Sequence, residues 1–78
     1  MREVVTERKL VRLIEKMGGL CLKLNSPGRR GVPDRLILMP GGVCLFAEVK
    51  TTKGRLSPLQ RQCHKELAEL GFEVLVIR

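Results

Sequence analysis

The fold of this 78-residue chain is decided by residues 34–50, which read DRLILMPGGVCLFAEVK. Two apolar runs, 35–39 and 43–50, flank the tripeptide Pro40-Gly41-Gly42, and a tight turn between such runs predicts a β-hairpin. The second run starts with five residues that are apolar on both faces, which is typical of a central strand.

The end of this second strand carries two charged side chains, Glu48 and Lys50, at positions where a buried strand would have apolar ones. A hairpin centred on Gly41 places Glu48 directly opposite Asp34, the only aspartate in the chain, because both lie equally far from the turn. A turn centred between Gly41 and Gly42 would make the pair diagonal. Two facing carboxylates repel unless a cation lies between them, and a hard divalent ion such as Mg²⁺ suits carboxylate oxygens. An ion pair between Glu48 and Lys50 at a frayed strand end is the simpler structural alternative.

Helix and strand patterns continue on the N-terminal side of the hairpin. Residues 3–17 repeat apolar side chains at three- and four-residue steps, which predicts a helix that ends at Gly18-Gly19. Residues 20–24 alternate leucines with Cys21 and Lys23, the period of a half-exposed strand. The loop 25–33 that follows contains two prolines, two glycines and two arginines.

On the C-terminal side, a basic loop leads to a helix with a complete start signal. Ser57 is a typical N-cap, Pro58 stands at the first helical position, and Gln60 is placed to complete a capping box. The helix is expected to run to Leu70, and residues 72–77 form a last strand. The order αβββαβ predicts one α/β (α+β) domain spanning residues 1–78, with a mixed sheet flanked by helices.

The composition of the chain limits the classes of partner and function that are compatible with it. The chain has 15 Lys and Arg against 8 Asp and Glu, a net charge of +7, which indicates a polyanionic partner, with nucleic acid the commonest. Trp and Tyr are absent, which disfavours readers of single strands that stack bases on aromatic rings. No apolar run is long enough for a membrane span, so no membrane partner is expected. Three cysteines without a CxxC pair indicate a reducing cytoplasm and neither a disulfide framework nor a zinc knuckle.

Two helical residues are further candidates for the site. Glu7 falls on the apolar stripe of the first helix, where a third carboxylate could reach the cation. Gln60 could face the site or cap its own helix, and periodicity does not choose between them. His64, one turn further on, is expected to be an exposed helix residue.

The basic side chains concentrate in the two loops that adjoin the proposed carboxylates, which favours contacts with a phosphate backbone over a merely solvated face. The candidate DNA-binding residues are Arg29, Arg30, Lys53, Arg55 and Arg61.

The motif Pro33-Asp34, followed by Glu48-Val49-Lys50 within the order αβββαβ, resembles the PD-(D/E)XK nuclease superfamily with its restriction-endonuclease-like core. The segments 26–35 (SPGRRGVPDR) and 54–60 (GRLSPLQ) are similar to the stand-alone virus-type replication-repair nuclease (VRR-NUC) domains of phages and bacteria. The resemblance covers nearly the whole chain.

The resemblance implies a Mg²⁺- or Mn²⁺-dependent DNA endonuclease that needs no small-molecule cofactor. It implies metal binding by Asp34, Glu48 and the Val49 backbone carbonyl, with Glu7 as a further candidate, and catalytic roles for Lys50 and Gln60. Lys50 would position or deprotonate the attacking water or, as we prefer, stabilise the transition-state charge.

By analogy with Holliday-junction resolvases, the resemblance also implies a homodimer acting on branched DNA in DNA repair, in the bacterial host cytoplasm if a phage encodes it. The small core and the need for two sites to cut both strands also favour a dimer. The alternatives are a non-catalytic DNA-binding module, in which the three charged residues form a structural ion-pair network, and a self-associating accessory protein.

Overall fold

The computed structural model describes residues 3–78, with side chains described from residue 5 onward. Six elements follow one another in the predicted order: α1 (Glu3–Lys16), β1 (Leu20–Lys23), β2 (Arg35–Met39), β3 (Val43–Val49), α2 (Pro58–Glu69) and β4 (Val74–Ile77). The α+β fold with a mixed sheet is confirmed. No helix in the described part of the chain has the length and apolar character to span a membrane.

The four strands form one sheet in the order β1-β2-β3-β4, in which the first three strands are antiparallel and β4 runs parallel to β3. In the hairpin, Met39 pairs with Val43 and Arg35 with Ala47, so the turn is centred on Gly41 as predicted. Strand β3 therefore lies inside the sheet, paired with β2 on one edge and with β4 on the other.

Helix α1 covers one face of the sheet and forms the main core with it. Leu10 and Ile14 project from α1 onto three buried strand residues, Ile37, Ala47 and Val49. Because neighbouring strand residues point to opposite faces, Glu48 projects away from α1, toward the side of the sheet on which α2 lies.

Helix α2 begins with the predicted capping box. The Ser57 hydroxyl accepts a hydrogen bond from the Gln60 backbone N–H, and the Gln60 side-chain oxygen accepts one from the Ser57 N–H. Cys63 is the buried residue of this helix, and beyond its end the Phe72 ring packs edge-on against Phe46 of β3. The capping box thus fixes where α2 begins, and the two rings connect the segment after its end to β3.

In the structure, β1 and β4 are shorter than predicted, and one face of β1 is exposed. Strand β1 stops at Lys23, although the Leu24 N–H still donates to the Asp34 carbonyl, and β4 starts at Val74. Leu20 and Leu22 are exposed because they face away from α1, in a part of the sheet far from α2.

Gly31 lets the basic loop 25–33 pack directly on the first turn of α2. Its φ of +83° is unfavourable for other residues, and a Cβ there would lie 2.4 Å from the Leu59 carbonyl oxygen. A side chain at this position therefore cannot fit without moving the loop away from the helix.

We predict that Gly31→Ala lowers the free energy of unfolding by about 1–3 kcal/mol, because it introduces both a strained φ and a clash. Gly28→Ala is the matched control in the same loop, since an added Cβ meets no atom within 4 Å and the φ is not positive. Urea unfolding measures both. Equal stability of the two variants would contradict the close approach of the loop to α2.

Candidate active site

Asp34 and Glu48 are brought together by the hairpin register. The paired residues run down to Arg35 opposite Ala47, so Asp34 and Glu48 occupy the next opposing positions. The Asp34 carboxylate is held by a hydrogen bond from β3. Its Oδ2 accepts this bond, 3.0 Å long, from the backbone N–H of Val49. This bond directs an acidic side chain from the start of β2 to the C-terminal end of β3.

Glu48 lies in the interior of the protein. Its side chain is 1% exposed, which is rare for a carboxylate and requires compensation from surrounding polar groups. One such group is His64 of α2, whose Nε2 lies 3.5 Å from Glu48 Oε1.

The prediction that His64 is an exposed helix residue is wrong. Its side chain is only 12% exposed and faces the Glu48 side chain of β3. Burial lowers the pKa of His64 below its ordinary value of 6.5; the negative charge of Asp34 opposes this effect and the positive charge of Lys50 adds to it. The charges of Asp34 and Lys50 therefore both act on the pKa of the His64 imidazole.

Lys50 follows the last residue of β3 and completes the Glu-x-Lys motif. Its backbone N–H donates to the carbonyl of Ile77 over 2.8 Å, so the parallel pairing with β4 continues through this residue. Lys50 is half-buried and, two residues beyond Glu48, belongs to the same side of the strand. The acid just before β2, the acid near the end of β3 and the lysine just after β3 thus share one end of the sheet.

The donor set at this end of the sheet is chemically suited to Mg²⁺ or Mn²⁺. Asp34 and Glu48 offer carboxylate oxygens and Val49 offers a carbonyl oxygen, and Mg²⁺ is commonly held by one or two carboxylates together with water and substrate phosphate. Among the residues whose side chains are described, no group of three or more His, Cys, Asp and Glu is close enough to hold an ion. The candidate side-chain donors at this end are thus the two carboxylates of Asp34 and Glu48, beside the Val49 carbonyl.

Glu7 is oriented differently from these two acids. Its Oε2 lies 3.9 Å from the Nη2 of Arg35, whose neighbour across the hairpin, Ala47, is in the core beneath α1. The side chains of Glu7 and Arg35 are 23% and 14% exposed, so this pair is largely shielded from water. The structure thus joins Glu7 to Arg35 and does not group it with Asp34 and Glu48.

Gln60 and Arg29 are engaged in contacts within the protein. The Gln60 side-chain oxygen closes the capping box, as one of the two predicted alternatives required. Arg29 donates to the Glu66 carboxylate of α2 in an exposed ion pair, which fastens the loop 25–33 to that helix.

The remaining predicted DNA-binding residues are exposed, namely Arg30, Lys53, Arg55 and Arg61. The loop between β3 and α2 is itself ordered, because the Gly54 N–H donates to the Thr51 carbonyl and the Gly54 carbonyl accepts from the Arg78 guanidinium.

Comparison with known proteins identifies the family. The model of the VRR-NUC domain family matches residues 4–78. The chain belongs to the VRR-NUC family.

A relative from Acyrthosiphon pisum secondary endosymbiont phage 1, which carries the name of a nuclease, p44, is 43% identical over 77 residues, 99% of this chain and 83% of the relative. A solved structure of a VRR-NUC domain superimposes with a TM-score of 0.91 at 34% identity, covering 96% of this chain and 82% of the other. As a member of the VRR-NUC family, the chain is a nuclease domain, as the sequence motifs predicted.

Sequence reasoning missed His64, although a signal for it was present. His64 follows Gln60 by four residues, one helical turn, so the two residues share a face of α2. The capping box fixes where that helix begins, and in the structure the face bearing His64 meets Glu48 of β3. The spacing was readable, but the packing angle of α2 on the sheet was not.

We predict that Glu7 and Arg35 are energetically coupled. A double-mutant cycle with Glu7→Gln and Arg35→Met should give a coupling free energy of about 1 kcal/mol, since the pair is shielded but its closest atoms are beyond hydrogen-bond distance. Urea unfolding of the four proteins measures it. Glu15→Gln, an exposed acid on the same helix, should show no coupling to Arg35→Met; equal coupling for both acids would contradict a specific pair.

Proposed function

We propose that this VRR-NUC domain is a divalent-metal-dependent endonuclease that hydrolyses phosphodiester bonds in DNA. The observation that carries the proposal is the convergence of Asp34, Glu48 and Lys50 at one end of the sheet. Opposed carboxylates beside a lysine, in a nuclease family, form an arrangement suited to phosphodiester hydrolysis.

Asp34, Glu48 and the backbone carbonyl of Val49 would hold Mg²⁺ or Mn²⁺, and Glu7 would join them only by leaving its contact with Arg35. When bound, such an ion supplies positive charge that polarises the scissile phosphate and acidifies nearby water. The hydrogen bond from the Val49 N–H to Asp34 keeps that carboxylate beside the Val49 peptide, so the strand itself orders two of the donors.

Lys50 acts on the substrate through its charge. An ammonium group beside two carboxylates is suited to stabilise the negative charge that develops on the phosphate oxygens during attack by water. The attachment of Lys50 to β4 through its backbone fixes the base of the side chain while its flexible stem reaches the substrate.

The DNA backbone would be bound by the two basic loops and the start of α2. Lys53 and Arg55 lie in the loop directly after Lys50, while Arg30 lies in the loop that packs on α2 through Gly31. Arg61 is exposed on the first turns of α2, and Arg29 would exchange or share its contact with Glu66. Such contacts position a phosphate backbone and carry little sequence information.

The enzyme would act as a homodimer on branched DNA such as Holliday junctions. Two active sites are needed to cut two strands, and the chain exposes apolar side chains unusual for so small a monomer. Around the end of α1 and in β1 these exposed residues are Leu13, Met17, Leu20 and Leu22.

We predict that the protein nicks or cuts four-way-junction DNA with Mg²⁺ or Mn²⁺ and not with EDTA. Asp34→Asn and Lys50→Ala should each reduce the cleavage rate by about 100-fold or more, because the first removes a carboxylate proposed to hold the ion and the second removes the positive charge proposed to stabilise the transition state. Cleavage of labelled junction, duplex and supercoiled DNA measures the rates. Lys9→Ala, an exposed lysine on α1, is the control and should cut at the wild-type rate.

The same assay separates catalysis from binding. A wild-type protein that binds DNA but cuts no substrate with any metal would support a non-catalytic DNA-binding module. Full activity of Asp34→Asn or Lys50→Ala would contradict the assigned site.

We further predict that Lys53→Ala and Arg55→Ala weaken DNA binding and reduce its salt dependence. Each lost phosphate contact should lower the slope of log K against log salt concentration by about 0.9 for duplex DNA. Fluorescence anisotropy at several salt concentrations measures the slope. Arg12→Ala, which removes an exposed charge from α1, should leave the slope unchanged; an equal decrease would indicate a response to net charge alone.

The dimer is tested by light scattering at micromolar concentration, where the wild type should have twice the monomer mass. Leu22→Glu should yield monomers because it places a charge on the exposed face of β1. Leu70→Glu, at the exposed end of α2, is the matched control, and a wild-type monomer would contradict the proposal.

A further inference from the structure

The contact between α2 and the buried end of β3 has no role in the function argued so far. His64 Nε2 is buried, forms no hydrogen bond to another described residue, and lies 3.5 Å from Glu48 Oε1. An imidazole N–H donates most strongly at about 2.9 Å, so the pair is slightly too long for a good hydrogen bond. In proteins without bound substrate, catalytic hydrogen bonds are often long in this way and shorten in the complex.

We propose that His64 is a positioning residue that donates from Nε2 to Glu48 Oε1 and so orients the Glu48 carboxylate for metal binding. This inference rests on the proposed metal-dependent function. A carboxylate that binds a metal through one oxygen is commonly oriented by a donor to the other.

The packing of the helical turn that carries His64 is consistent with this role. Helix α2 is capped at its start by the reciprocal bonds of Ser57 and Gln60, and Gly31 brings the loop 25–33 against its first turn. Cys63, the residue before His64, is buried and anchors the same turn. The imidazole therefore has little freedom to withdraw from Glu48.

The inference concerns orientation and not direct coordination. The described side chains contain no three-residue His, Cys, Asp and Glu group suited to an ion, although His64, Asp34 and Glu48 belong to the same region. In the proposed arrangement, the imidazole nitrogen that faces Glu48 carries a proton and cannot also bind a metal.

The test compares Mn²⁺ binding to wild-type protein, His64→Leu and His64→Gln, followed by the loss of the free-ion electron paramagnetic resonance signal. His64→Leu should weaken Mn²⁺ binding about 10–100-fold, because Glu48 loses its orienting donor. His64→Gln should restore binding toward the wild-type value, because the amide nitrogen can donate in place of Nε2. Gln62→Leu, an exposed change on the same helix, should bind as the wild type does.

The outcomes distinguish this inference from the function on which it rests. Wild-type binding with equal binding by His64→Leu would overturn the positioning role and leave the metal site intact. A wild-type protein without any Mn²⁺ affinity would overturn the metal proposal and this inference together. Electron spin-echo modulation showing a nitrogen directly bound to Mn²⁺ in the wild type and not in His64→Gln would make His64 a ligand and also overturn it. Thermal unfolding of each metal-free variant shows whether a weakened affinity reflects loss of the fold.

Discussion

The register of the β2–β3 hairpin is the constraint on which the candidate site depends. The turn at residues 40–42 centres the hairpin on Gly41 and so sets Asp34 and Glu48 at opposing positions. A slip by one residue would turn Glu48 toward Leu10 and Ile14 beneath α1, exchanging a buried carboxylate with the apolar core. The apolar face of β3 therefore disfavours such a slip, since a shift of one residue that displaces the acids also moves core side chains out of the core.

The two faces of the sheet divide the charged residues into two groups. On the α1 side, Glu7 and Arg35 neutralise one another near the core. On the α2 side, Asp34, Glu48 and Lys50 share one end of the sheet, and His64 Nε2 lies 3.5 Å from Glu48 Oε1. Two opposed carboxylates repel one another, which acts against the packing at this end of the sheet. The proposed ion would offset that repulsion, so metal binding and local stability are expected to be linked.

The sequence was sufficient for those features that depend on short-range chemistry. The hairpin register followed from one proline-glycine turn, and the start of α2 from a capping box spanning four residues. Contacts between distant elements were not readable in this way. The position of His64 against Glu48 depends on how α2 packs on the sheet, and the pairing of Glu7 with Arg35 depends on which face of the sheet α1 covers. The resemblance to the family implied that Glu7 is an acid of the site, but it did not indicate the contact between Glu7 and Arg35.

The attachment of both basic loops to the site elements explains how a 78-residue chain can present an ordered surface to a flexible polyanion. The loop before β2 is fixed to α2 by Gly31 and Arg29, and the loop after β3 is fixed by the Arg78 contact with Gly54. Ordering these loops in the free protein reduces the conformational entropy lost when a nucleic acid binds. Because both loops adjoin the strands that carry Asp34 and Lys50, a phosphate backbone bound to them would already lie beside the proposed catalytic groups.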